Sequence, residues 1–94
     1  MNVPQIKDLR IAYELYQTRI SLSRRDIELL FGVGHTYAQR LKSIAKAHEK
    51  EKGLVDYSPL TVRTEEAFEA WGIDIKRIKR RIKELDKNVR TNNG

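Results

Sequence analysis

Apolar residues along the chain fall into four helical stripes separated by short polar stretches. Ile6, Leu9, Tyr13, Tyr16 and Ile20 recur at alternating three- and four-residue steps, which predicts a scaffold helix from about Pro4 to Thr18 within residues 1–20. Proline is at home in such a first turn. Ile27, Leu30 and Phe31 form a second, shorter stripe, and Tyr37, Ala38, Leu41, Ile44 and Ala45 form a third. The last is Ile75, Ile78, Ile82, Leu85 and Val89, on a helix over 74–89 that Asp74 caps, followed by a frayed tail at 90–94. Thr64 caps a short helix over 64–72, with Glu65 and Glu66 set against its dipole and Ala67, Phe68 and Trp71 facing inward.

The joints are as informative as the stripes. Ser23 followed by Asp26 is a capping-box-like helix start. Gly32 stands where that helix must stop, a position that often needs a left-handed backbone. Val33 fills the corner, Gly34 opens the next helix, and this longer helix continues to about Lys50 before Gly53 ends it. Leu54 to Arg63 admits two readings: a small wing of two strands around Ser58-Pro59, or an extended arm laying Tyr57, Leu60 and Val62 on the core. No internal repeat or low-complexity segment is evident. The pattern predicts one mainly all-α domain over 1–94 with four to five helices.

Residues 23–52 therefore read as two helices joined by a tight glycine turn. The second helix turns His35, Thr36, Gln39, Arg40, Lys42 and Ser43 away from its stripe. A helix presented in that way suits the DNA major groove. His35, Thr36, Gln39, Arg40 and Ser43 are the base-contact candidates. Arg40 has the donor pair that guanine accepts, and Gln39 the donor and acceptor that adenine matches. Arg24, Arg25, Lys42 and Lys46 stand where phosphates would pass.

With apolar residues at Ile27, Phe31, Val33, Ala38 and Leu41 and a turn glycine at Gly32, the segment resembles the bacterial helix-turn-helix family of DNA-binding proteins. More loosely, the whole chain is similar to small excisionase-like proteins of phages and integrative mobile elements. The shared features are a long basic second helix, a short extended piece, and a Thr-Glu-Glu-Ala-Phe helix start that ends at Gly-Ile. The resemblance implies double-stranded DNA binding in the regulation of transcription or of recombination.

Charge placement strengthens that expectation. The net charge is +6, yet residues 1–74 balance 11 Lys/Arg against 11 Asp/Glu, and residues 75–94 carry 8 against 2. Residues 19–50 are locally basic and 51–74 locally acidic. Two basic regions thus bracket an acidic one, a layout suited to phosphate contacts from two elements. Lys76, Lys79, Arg80 and Lys83 are the phosphate candidates on the last helix. Its stripe either closes one core against the first helix or pairs with its own copy in a homodimer. A helix lying on a membrane is disfavoured, since the stripe lacks Trp and Phe.

Other chemistries find little support. There is no cysteine, so neither a disulfide framework nor a thiolate metal site is available. His35 and His48 have no partners at ligand spacing. Ser, His and Asp fall into no catalytic arrangement, and a core this small leaves little room for a substrate pocket. No enzyme, cofactor or small-molecule ligand is expected. No apolar run reaches a membrane span and Met-Asn-Val-Pro-Gln is not a signal-peptide start, so a cytoplasmic protein is the expectation. Tyr13, Tyr16, Tyr37, Phe68 and Trp71 lie on the stripes and are assigned to packing rather than to base stacking. RNA is a weaker partner because no RNA-module motif is present. The rival to DNA binding is a small helical adaptor, of phage-assembly or anti-repressor type, using the 75–89 stripe as its partner surface.

Overall fold

The first helix is capped by Asp8 and starts at Leu9, not at Pro4. The Asp8 carboxylate accepts the Arg10 and Ile11 N–H groups at 2.8 and 3.3 Å, which satisfies donors left free at a helix start. The structure, a computed structural model, describes residues 3–93, with side chains through residue 87. Helix α1 (Leu9–Thr18) is preceded by an irregular segment that crosses to the next helix pair, where the Lys7 N–H donates to the Leu30 carbonyl at 3.1 Å. Ile20 lies beyond the end of α1 and is 92 % exposed, so it leaves the predicted stripe.

Next come β1 (Ser21–Ser23), α2 (Arg24–Phe31), α3 (His35–Glu51), β2 (Thr61–Arg63), α4 (Thr64–Ala70) and α5 (Ile75–Asn93). The architecture is mainly helical, with five helices and one small two-stranded sheet among the described residues. The corner between α2 and α3 forms for local reasons. Ser23 Oγ accepts the Asp26 N–H at 3.3 Å while Asp26 Oδ2 accepts the Ser23 N–H at 2.9 Å, a complete capping box. Gly32 adopts φ 66°, and its N–H donates to the Glu28 carbonyl at 2.8 Å. A Cβ there would be strained by that φ alone and would also sit 2.9 Å from Lys7 Cδ.

The segment 54–63 forms neither a hairpin nor an arm on the core. Only 61–63 is strand, and its partner is β1, antiparallel, with Leu22 opposite Val62, Ser21 opposite Arg63 and Ser23 opposite Thr61. Val62 is buried, but Tyr57 and Leu60 are exposed. The Tyr57 ring instead lies under the Arg63 guanidinium, 4.9 Å from its centroid. Thr64 is the first residue of α4 rather than a side-chain cap, and its hydroxyl is buried without a hydrogen bond. Its N–H donates to the Ile20 carbonyl at 2.9 Å, extending the strand pairing. A buried carboxylate on α3 organises this junction: Glu49 Oε2 accepts the Arg63 N–H at 2.9 Å and its guanidinium at 3.1 Å.

One core joins all of these elements. Leu22, Ile27, Leu30, Ala38, Leu41 and Ala45 are buried with Val62, Ala67, Phe68 and Trp71 from the second half of the chain. Trp71 Nε1 donates to the Leu41 carbonyl at 2.9 Å, and its ring meets Phe31 edge to face, 5.1 Å between centroids at 83°. Helix α3 lies between α2 and α4, whereas α5 takes α1 as its main neighbour. The Arg10–Asp86 ion pair fastens that contact. Helix α5 also continues to Asn93 instead of ending at 89; Val89 lies outside the described side chains.

The chain does carry an internal repeat, contrary to the expectation from sequence. Elements in the two halves start 40 residues apart: Ser21 and Thr61, Arg24 and Thr64, His35 and Ile75. Sequence comparison misses it because, between 21–43 and 61–83, only Gly32/Gly72 and Arg40/Arg80 are identical. Apolar character is what the pairs Leu22/Val62, Phe31/Trp71 and Ala38/Ile78 keep, not residue identity.

Candidate nucleic-acid interface

Helix α3 divides by face and by length. Its buried side (Ala38, Leu41, Ala45 and Glu49) is held between α2 and α4. On the opposite side Thr36, Arg40, Ser43, Ala47 and Lys50 form an exposed line at three- and four-residue steps, with His35 beside it. Gln39 is half-buried at the edge of this line. The Ser43 hydroxyl donates back to the Gln39 carbonyl at 3.0 Å, which uses its proton and not its acceptor capacity. All five base-contact candidates are thus gathered on the first two and a half turns of α3.

The phosphate candidates separate into two groups. Arg25 is exposed, and Arg24 is half-buried with Nε bonded to Glu28 Oε2 at 3.0 Å. Lys42 and Lys46 do not join the outward face. Lys42 Nζ donates to the Pro59 carbonyl at 3.3 Å, and Lys46 Nζ donates to Asp56 at 2.7 Å and to the Ser58 carbonyl. Both therefore tether the 54–60 segment, for which the sequence held no signal beyond the local charge. Asp56 is held below the ordinary carboxylate range by its hydrogen bond to Lys46.

The acidic stretch is likewise engaged internally. Lys52 Nζ lies 2.9 Å from Glu66 and 3.4 Å from Glu69, and His48 Nε2 lies 3.3 and 3.5 Å from the same carboxylates. The Lys52 hydrogen bond holds Glu69 below its usual range, and the Glu66 bond raises Lys52. His48, Glu66 and Glu69 could together offer three metal-ligand atoms, yet the Lys52 ammonium already sits against both carboxylates. This group joins α3 to α4. With Lys46 neutralised by Asp56, and Lys52 just beyond α3 by Glu66 and Glu69, the positive charge on the outward line of α3 is that of Arg40 and Lys50.

Helix α5 supplies the second basic surface. Asp74 Oδ1 accepts the Lys76 and Arg77 N–H groups at 3.0 and 3.4 Å and so caps its start. Lys76, Arg77, Lys79, Arg80, Arg81 and Lys83 are all exposed. Ile78 is buried, Ile75 and Ile82 are half-buried, and Leu85 is 39 % exposed. The first part of the stripe is therefore covered within the chain, and a homodimer seam over 75–89 would have only its far end to offer. No helix among the described residues is long and apolar enough to cross a membrane. The chain matches no family model, no curated protein and no solved structure.

Proposed function

We propose that the chain is a double-stranded DNA-binding protein of helix-turn-helix type, not an enzyme, that seats the first half of α3 in the major groove. One observation carries this reading. The α2–α3 corner buries Ile27, Phe31, Ala38 and Leu41 and leaves His35, Thr36, Arg40 and Ser43 outward, with the half-buried Gln39 at their edge. A helix braced along one side by α2 and α4, with adaptable donors and acceptors on the other, can enter a groove without losing its own packing. Arg24, Arg25 and the basic face of α5 are the backbone contacts. The resemblance to small phage and mobile-element proteins favours a role in regulating transcription or recombination.

Selection from a random duplex pool at near-physiological salt tests the reading. An enriched motif is expected, and Gln39→Ala with Arg40→Ala should weaken it by roughly 1–3 kcal/mol per lost bidentate pair. Enrichment that survives both changes would remove α3 from the groove. Absence of binding would transfer the assignment to the adaptor.

A further inference from the structure

The 40-residue offset is repeated in backbone detail. Val33 N–H donates to the Glu28 carbonyl at 3.2 Å, and Ile73 N–H to Phe68 at 2.8 Å. Ala38 N–H donates to Gly34 at 3.0 Å, and Ile78 N–H to Asp74 at 3.1 Å. Gly32 and Gly72 share left-handed φ values of 66° and 72°. In addition, counterparts touch each other: Leu22 faces Val62 across the ladder and Phe31 meets Trp71 edge to face. Residues that contact their own equivalents mark a two-fold axis, as in the isologous interface of a dimer. The chain therefore repeats one strand-helix-turn-helix order, with an approximate dyad relating β1 and α2 to β2 and α4.

The symmetry breaks at the second corner for a visible reason. Ile27 and Leu41, both buried in the core where α2 meets α3, correspond to Ala67 and to the exposed Arg81. Helix α5 lacks the same pair at its junction with α4, and it packs along α1. Its outward face keeps the register. Lys76, Lys79, Arg80 and Lys83 occupy the positions that Thr36, Gln39, Arg40 and Ser43 hold on α3.

We infer that α5 is the counterpart of α3 as a DNA-engaging helix, so that one chain covers a two-part site on a single duplex. The part under α3 is read by base edges. The part under α5 is held through phosphates, because its face is four adjacent cations that carry donors only; it lacks the mixed donor and acceptor groups that Thr36, Gln39 and Ser43 bring beside Arg40. This inference rests on the groove-binding reading of α3, and its test keeps the two apart.

The test uses the duplex selected by the full-length protein. Phosphate-ethylation interference maps the contacts, sedimentation gives the number of chains per duplex, and binding is measured across a salt series. Expected is one chain per duplex with two separated clusters of interfering phosphates. Changing Lys76, Lys79, Arg80 and Lys83 together to Gln should erase one cluster, leave the enriched motif unchanged, and lower the log–log salt slope by about 3 to 4. These side chains are exposed, so the variant should keep the circular dichroism of the parent. A single cluster, or an unchanged slope in the variant, would overturn the two-part site while leaving the α3 reading intact. Two chains per duplex would also overturn it, by replacing the single chain with a true dimer. No binding by the parent protein would defeat the α3 reading itself, and this inference with it.

Discussion

Removing the Glu49 carboxylate should be the most damaging single change outside the apolar core. Glu49 is only 4 % exposed, yet it accepts both the Arg63 N–H and the Arg63 guanidinium. A hydrogen bond to a charged group contributes about 1.5–3 kcal/mol, and a buried donor left without a partner adds its desolvation cost. The Arg63 side chain is 26 % exposed, so water can replace part of the second bond. Burying one charge fewer also returns something. Glu49→Ala should therefore cost about 2–3 kcal/mol, a fall of roughly 10–20 °C in melting temperature for a domain of this size. Glu49→Gln keeps an acceptor oxygen and should cost about 1–2 kcal/mol. Glu51→Ala, on the exposed side of the same helix, should stay within about 0.5 kcal/mol. Urea denaturation monitored at Trp71 measures all three. If Glu49→Ala were no worse than Glu51→Ala, the junction between α3 and β2 would not be held as described.

Two glycines should respond with opposite signs. Gly72 has φ 72° and open space where a methyl would stand, so Gly72→Ala should cost about 1–2 kcal/mol from backbone strain alone. Gly34 has φ −84°, open space, and no side-chain cap for α3, so Gly34→Ser should add about 0.5–1 kcal/mol; equal signs in urea denaturation would refute the pair. The Lys46 bond lowers the Asp56 carboxyl, so its stabilising effect is present above the ordinary Asp value and fades as pH falls through the lowered one, below roughly pH 4. A carboxyl NMR titration should find that depressed midpoint and see it return to the ordinary value in Lys46→Gln; an ordinary midpoint in the parent protein would remove the tether.

The elements governed by local chemistry were legible. The Ser23–Asp26 box, the left-handed Gly32 and the stripe 75-78-82 place α2, α3 and the start of α5 because each signal lies within a few residues of the structure it causes. Partnerships across long separations were not. Nothing near Ser21–Ser23 announces a strand of three residues whose partner lies 40 positions away, and strand propensity is weak at that length. The diversion of Lys42 and Lys46 depends on where 54–60 lies in space. Pro4 overshadows Asp8 as a helix start, and Glu49 reads as one more surface acid unless the Arg63 donors are brought beside it. For four of the six residues expected on the outward face of α3 the sequence sufficed, since spacing sorts His35, Thr36, Arg40 and Ser43 from Ala38 and Leu41; Gln39 and Lys42 are half-buried, Lys42 against the Pro59 carbonyl.

The edge-to-face contact of Phe31 with Trp71, and the Trp71 bond to the Leu41 carbonyl, make the two units hostages of one another. A chain shortened at Gly53 would keep the whole α2–α3 corner in its covalent structure but lose Val62, Ala67, Phe68 and Trp71 from the core that supports it. Neither unit is then an autonomous module, and melting should be all-or-none rather than stepwise. The same dependence gives latitude: while the shared core holds, the outward side of α5 can drift in sequence without unfolding α3.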